Sequence, residues 1–512
     1  MQTAIMIMAL TGLAAALRGS YLTARSLWFD EAWSVWLAQM PVDRMLATLR
    51  WLDAHPPLYY LLLRAWILGL GDSETSVRFL SVAVGSLTVT LTYVVATRWC
   101  DRTVAAVAAF FVAISPLHVM ASQEARMYPL LGLLVLASTA ALWEALQRSG
   151  RWWVAYSLIG AASLYTHYLA GLMMLAHGLY VVAIDRSREN TLRWTAAVVG
   201  MAVIFVPWLP SLLHHVMAGH GWPQWRPPFG VRTLLDLLAL LGFGGYLFGS
   251  GTYHWFGSLA PGWYVPLLMP MVLLVIGGLT GSHVPRRVRS HLIAVLVVPL
   301  AAALSISLRW NIVYPRYFSF LVPFVVLAMA CGMTRMDVAS GKRGLHAAAI
   351  LPVLLAYQLP VLVDYYTSPQ LRVYDWRAAA ALVSRHGRPG DLILLVPGSG
   401  RVAFDYYYRG PLRRVELTPV EYRGRVPALP GGGGDRTTLT TRHVEGLARQ
   451  YGRLWLVLTP PEPPGARTRL TQLLEPFYGP GVGYDFGRVH VFVWERRTQH
   501  HGVPSLGLTN SK

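Results

Sequence analysis

Residues 56–70 read PPLYYLLLRAWILGL, and how this stretch lies decides the topology of the whole chain. It is apolar enough to enter a bilayer, yet its 15 residues fall short of the ~20 that a crossing helix needs. Two prolines open it, and Arg64 interrupts it. The basic clusters settle its placement. If 56–70 lies in the interface, the arginine-bearing loops at 98–102, 147–151, 185–193, 286–289 and 335–343 all fall on one side, which the positive-inside rule makes cytoplasmic. Counted as a span, it scatters them over both faces. The stretch therefore reads as an interfacial amphipathic helix, joined by two more at 32–39 and 42–52.

Outward from this stretch, apolar segments near spanning length fall at 3–21, 77–98, 103–121, 127–146, 151–166, 168–184, 192–215, 261–281, 291–308, 315–334 and 345–366. These predict a polytopic α-helical membrane protein of about 11 transmembrane helices with a cytoplasmic N-terminus. Composition agrees: 54% of the 512 residues are hydrophobic and only 13% are charged. The net charge of +19 sits in short clusters between apolar segments instead of one stripe, which argues against a nucleic-acid partner and for the bilayer. Met1 to Leu17 lacks a basic leader region and reads as an uncleaved first helix. Cys100 and Cys331 cannot make a disulfide framework and lack metal-site spacing.

An odd span count places the C-terminus outside. The expected domains are a transmembrane domain over 1–366, an extracytoplasmic α/β domain over 367–497 and a disordered tail over 498–512. In the α/β domain, helices are expected at 375–386 and 444–451, and strands at 391–397, 454–459 and 484–495. The glycine run 431–434 follows no strand and opens no helix, so it reads as a loop, not a phosphate cradle. In the membrane domain, the first outer loop is 22–76 and a long outer loop is 216–260, which carries an apolar run over 234–248.

Every polar constellation then shares the outer face. Asp30 and Glu31 stand side by side after the first span. A carboxylate there can take a proton from an attacking hydroxyl, or cap the helix that starts near Ala32. His55 precedes Pro56 and Pro57, which bias it toward an extended conformation, and suits a phosphate or a metal. Tyr59 and Tyr60 fit the aromatic belt at headgroup level. Glu124 and Arg126 sit where the chain turns back at Tyr128 and Pro129. A guanidinium there can hold a lipid phosphate bidentately, and a mutual salt bridge is the simpler alternative. Arg316 and Tyr317, and His167 with Tyr168, occupy two further turns. Histidines in or near the long loop, His214, His215, His220 and His254, lack the acid and spacing of a zinc helix.

The strings F-D-E-A-W-S (29–34), H-P-P-L-Y-Y (55–60) and S-Q-E-A-R-M-Y-P (122–129), in this order, resemble the membrane-embedded glycosyltransferases of the C superfamily. The likeness is to the bacterial branch grouped with protein O-mannosyltransferases and the lipid A aminoarabinose transferase. It covers the whole membrane region, and the α/β domain agrees with the aminoarabinose type. It implies transfer of a sugar from a polyprenyl-phosphate donor to an acceptor on lipid, glycan or protein outside the membrane, with inversion. Asp30 stands at the presumed base, His55 where a basic residue contacts the donor phosphate, and Arg126, Arg316 and Tyr317 match arginines and a tyrosine of later outer loops. No cofactor is certain, and a divalent metal ion is a possible one. The sequence departs from the aminoarabinose type in having Ala54 and His55 in place of an acid and a lysine.

Two rivals use different features. An O-antigen ligase or polymerase carries its key residues in one large late outer loop. A lipid or glycan flippase tends to show inverted repeats and ionisable groups near the midplane. The sequence shows no repeat.

Overall fold

The computed structural model describes residues 1–148, 150–217, 230–243, 246–247, 253–254, 264–282, 284–310, 312–340, 345–367, 374–396, 400–416, 446–447, 449–459 and 466–496. The chain forms two compact units. The first comprises Met1–Ala24 and Trp33–Leu371, and the second Arg25–Ala32 and Arg372–Lys512. Most of the long loop 216–260, the glycine run 431–434 and the tail 498–512 lie outside the described residues.

The first unit is a helical bundle. It opens with α1 (Gln2–Gly19), α2 (Phe29–Gln39), whose first turn belongs to the second unit, α3 (Val42–Trp51) and α4 (Leu58–Leu70). The interruption of α4 by Arg64 has a structural reason: its guanidinium donates to the carbonyls of Ala38 and Met40, so it caps the end of α2. Then follow α5 (Glu74–Trp99), α6 (Arg102–Ile114), α7 (Pro116–Ser122), α8 (Tyr128–Arg148), α9 (Arg151–Thr166), α10 (Ala170–Leu179), α11 (Arg188–Phe205) and α12 (Leu209–Met217). Ser73 and Asp101 start α5 and α6 by accepting the N–H groups of Ser76 and Val104. The apolar run in the long loop gives α13 (Val231–Phe243) and precedes a short antiparallel pair, β1 (Tyr246–Leu247) and β2 (Tyr253–His254). The bundle closes with α14 (Tyr264–Thr280), α15 (Arg286–Ser307), a 3-10 turn at Pro315–Leu321, α16 (Val322–Ser340) and α17 (Leu345–Thr367). Among the described residues, six helices are long and apolar enough to cross a membrane, or seven if α6 and α7 make one span. Shorter apolar helices, α4 among them, make up further segments.

The single segment expected at 103–121 is in fact two helices bent by 58°. Pro116 has no N–H for the Val112 carbonyl, and the bend strips Ala113 of its partner as well. Arg18, fully buried, meets both needs: Nη2 donates to Val112 O at 3.0 Å and Nη1 to Ala113 O at 2.9 Å. Nη2 also donates to His118 Nδ1 at 2.9 Å, which makes that nitrogen the acceptor of the ring. Helix α5 comes close enough to seal this site because Gly85 has no Cβ; one placed there would lie 2.1 Å from Ser122 Oγ. Gln123, just past the break, donates to the carbonyls of Arg18 and Ser20 and accepts from the Tyr365 hydroxyl. At other helix ends, Arg98 and Arg148 both pair with Glu144, which brings the basic clusters 98–102 and 147–151 together.

The second unit is an α/β domain with a five-stranded sheet in the order β4-β3-β5-β7-β6. β3 (Leu392–Val396), β4 (Arg413–Glu416) and β5 (Arg453–Leu458) run parallel, while β6 (Val482–Phe486) and β7 (Val489–Glu495) form an antiparallel edge. α18 (Trp376–His386), α19 (Arg401–Tyr407) and α20 (Ala466–Tyr478) complete it. Leu392, Leu394, Leu454, Leu456, Leu474 and Trp494 are core residues. The single strand expected at 484–495 is a hairpin: Phe486 pairs with Val489 across a two-residue loop, and Gly487 at φ +68 supplies the left-handed first position that a type II′ turn requires.

Replacing Arg18 by Met leaves two buried carbonyls without their donor, at about 1–3 kcal/mol each. Thermal denaturation of the detergent-solubilised protein is expected to show a clear drop in midpoint; an unchanged midpoint would mean other donors satisfy the break.

Candidate active site

Glu31 has a visible task at the start of α2. Its carboxylate accepts the N–H of Trp28, three positions earlier, at 3.4 Å, which is the glutamate half of a capping box. It is 1% exposed. Asp30, one position before it in the first turn, is partly exposed. Both belong to the second unit.

In the first unit, the remaining candidates gather around a residue the motif reading passed over, Asp53. This carboxylate is buried in the turn between α3 and α4. Its Oδ1 accepts the backbone N–H of His55 at 2.9 Å and lies 2.5 Å from His55 Nδ1. Its Oδ2 accepts from Trp33 Nε1 at 2.6 Å and from the Tyr60 hydroxyl at 3.3 Å. Burial pushes the carboxyl up, but the charge and hydrogen bond of His55, then Arg126 and the Trp33 N–H, outweigh it and hold Asp53 well below the usual carboxylate range. The spacing D-A-H is the sequence signal, since an aspartate commonly accepts the N–H two residues on. The acid sits one position before the place the resemblance indicated.

Arg126, 3% exposed, extends this network: Nη1 donates to Ser34 Oγ at 3.2 Å and to the Tyr60 hydroxyl at 3.5 Å. Beside the local Glu124–Arg126 pairing that the spacing suggests, Glu124 makes a longer-range one with Arg316, across 3.4 Å. Arg316 is also 3% exposed and lies over the Tyr314 ring, while Arg126 lies over Tyr128. Aromatic rings join the two arginines to His55. Tyr128 stacks on Tyr317 at 5.6 Å, His167 meets Tyr317 at 5.4 Å, and His55 meets His167 edge-on at 5.6 Å. His167 Nδ1 accepts the Leu169 N–H. Tyr59 packs edge-on against Tyr60 and is buried. Thus His55, Arg126, Tyr128, His167, Arg316, Tyr317 and Glu124 form one cluster, with Asp53, Tyr60, Trp33 and Ser34 added by the structure. His215 is bonded to Tyr168 and to the Leu49 carbonyl.

The cluster is rich in cations and rings, which suits an anionic, partly apolar ligand. It does not suit a divalent cation. Among the described residues no group of three or more His, Cys, Asp and Glu side chains is placed to hold a metal ion. Asp53 and Glu124 already face His55 and Arg316.

Residues 54–214 match the family model of dolichyl-phosphate-mannose-protein mannosyltransferases. No curated protein sequence matches the chain. Among solved structures, ArnT from Cupriavidus metallidurans in the apo state is similar with a TM-score of 0.63 at 14% identity, covering 96% of this chain and 98% of ArnT. ArnT bound to undecaprenyl phosphate gives 0.61 at 14%, over 95% and 97%. The oligosaccharyltransferase of Archaeoglobus fulgidus in the apo form gives 0.55 at 14%, over 96% of this chain and 74% of that one. These likenesses show a fold shared with ArnT and the oligosaccharyltransferase over 95% or more of this chain, that of the glycosyltransferase C type. The family model covers under half of the chain, residues 54–214, and shows a likeness to that family over this stretch.

Asp53→Asn tests the hub of the cluster. It removes the charge facing His55 and Arg126 and points a donor at donors, at roughly 3 kcal/mol of stability near neutral pH. The contribution of a carboxyl held below its ordinary value is complete above about pH 4 and is lost as pH falls further. The stability gap between wild type and variant, read by chemical denaturation, is therefore expected to narrow below about pH 4. A gap that holds unchanged down to about pH 3 would contradict an ionised, lowered Asp53.

Proposed function

We propose that the chain transfers a sugar from a polyprenyl-phosphate-linked donor to an acceptor hydroxyl on the extracytoplasmic side of the cell membrane, with inversion. The observation that carries this reading is the buried pair Arg126 and Arg316, joined to His55 by a chain of ring contacts and set among apolar helices. Such a site suits the phosphate of a lipid donor, whose headgroup is anionic and whose chain needs apolar surroundings. The likeness to ArnT, solved with undecaprenyl phosphate, supports this donor class.

The chemistry follows from charge. The acceptor oxygen attacks the anomeric carbon as the bond from that carbon to the phosphate oxygen breaks, and the leaving group departs as a phosphate monoester with one more negative charge. Arg126, Arg316 and His55 stabilise that growing charge in a water-poor site, where such donors act most strongly. The proton of the acceptor hydroxyl goes to Asp30 as general base. Glu31 holds the helix turn that presents Asp30, and Tyr128, His167 and Tyr317 supply the wall of rings. Tyr59 packs against Tyr60, whose hydroxyl meets Arg126 and Asp53. The acceptor is a lipid, glycan or protein, guided by the α/β domain.

Two measurements in proteoliposomes with polyprenyl-phosphate-linked sugars check the reading. Asp30→Asn is expected to lower kcat by ~10²-fold or more with little change in donor KM. Transfer at close to the wild-type rate would remove Asp30 from the mechanism. Arg126→Ala and Arg316→Ala are each expected to weaken binding of polyprenyl phosphate by about tenfold or more. Unaltered binding in both variants would place the donor phosphate elsewhere.

A further inference from the structure

The second unit holds more than the α/β domain: it includes the eight-residue segment Arg25–Ala32, far away in sequence, that carries Asp30. Its attachment is specific. Ser26 Oγ donates to the Tyr374 carbonyl and accepts the Trp376 N–H at 3.1 Å, so one buried hydroxyl bridges the two backbone groups leading into α18. The next residue, Leu27, donates its N–H to the Tyr407 hydroxyl at 2.6 Å, and its side chain is fully buried. Tyr407 ends α19, with its ring against Tyr406 and under the guanidinium of Arg377. Tyr374 in turn bridges to Gly487 in the β6–β7 turn. On the other side of Asp30, Glu31 caps Trp28. Asp30 is thus flanked by two backbone tethers on one side and a helix cap on the other, all within one compact unit.

We infer that the α/β domain positions the Asp30 carboxylate, with Ser26 and Tyr407 as positioning residues that fix the segment through Tyr374, Trp376 and Leu27. The inference rests on the reading of Asp30 as base. Burial pushes the Tyr374 hydroxyl up, Arg488 opposes this and the charge of Asp30 adds to it, in keeping with a carboxylate held close to this domain. A base displaced by about 1 Å can lose ~10²-fold in rate without touching substrate affinity. The donor-phosphate cluster contains neither Ser26 nor Tyr407.

The test uses the full chain in proteoliposomes, with Ser26→Ala, Tyr407→Phe, Ser26→Thr and Asp30→Asn beside wild type. Two readings are taken: amide hydrogen exchange of residues 25–32, and kcat against donor KM. Ser26→Ala and Tyr407→Phe are expected to speed exchange in 25–32 and to lower kcat about tenfold with donor KM within about twofold of wild type. Ser26→Thr, which keeps the hydroxyl, restores both. Exchange unchanged in both variants overturns the tether. Faster exchange with kcat intact overturns the positioning role while leaving the tether. Full activity in Asp30→Asn is a different failure: it removes the base, and the positioning role falls with it, although the exchange result stands.

Discussion

A proline at position 116 breaks a membrane helix, and the bundle is arranged to satisfy the two carbonyls that the break exposes. In an apolar interior an unmet carbonyl is expensive, because no water is at hand to replace the lost N–H. Arg18 reaches them from the first helix, Gly85 lets the fifth helix close over the guanidinium, and His118 and Ser122 take up the remaining donors. The result is a fixed exit angle for the chain at Gln123, itself bonded to the end of the first helix. Glu124 and Arg126 follow directly. The direction in which these two side chains leave the bundle is therefore set by a polar site within the bundle interior.

The second constraint is the Asp53 carboxylate. Burying it as an anion is tolerable only because four donors and a nearby guanidinium converge on it, and that convergence draws α2, the α3–α4 turn and the loop after α7 to one point. His55 is oriented twice over, by the prolines that follow it and by the carboxylate before it. A ring held in this way has little freedom left to lose on meeting a ligand.

The sequence made the polytopic helical class legible because hydropathy is summed over many residues. It also made α4 readable as a short helix at 56–70, although the purpose of Arg64 lay in the partner it reaches, the end of α2. Asp53 was missed for a local reason: the comparison of motifs looked for an acid at position 54, while the fold uses the one at 53 through a two-residue turn. The role of Arg18 has no local signal, since the carbonyls it serves are some 95 positions away. The Glu124–Arg316 pair, separated by 192 positions, could not be told from a Glu124–Arg126 pair by spacing alone. In the α/β domain the last strand was read through its turn, because Gly487 in an otherwise β-forming run marks a hairpin only when its φ is known.

The division of the chain into units bears on the chemistry. The cations suited to a leaving phosphate stand on the helical bundle, whereas the proposed base stands on a segment that folds with the α/β domain. Helix α2 is common to both, since its first turn carries Asp30 and its next turn Ser34, the partner of Arg126. Asp30 and Ser34 are four positions apart and so share a face of that helix. A single helix is a stiff link, so whatever the α/β domain does to the segment before α2 is transmitted to Asp30 with little loss.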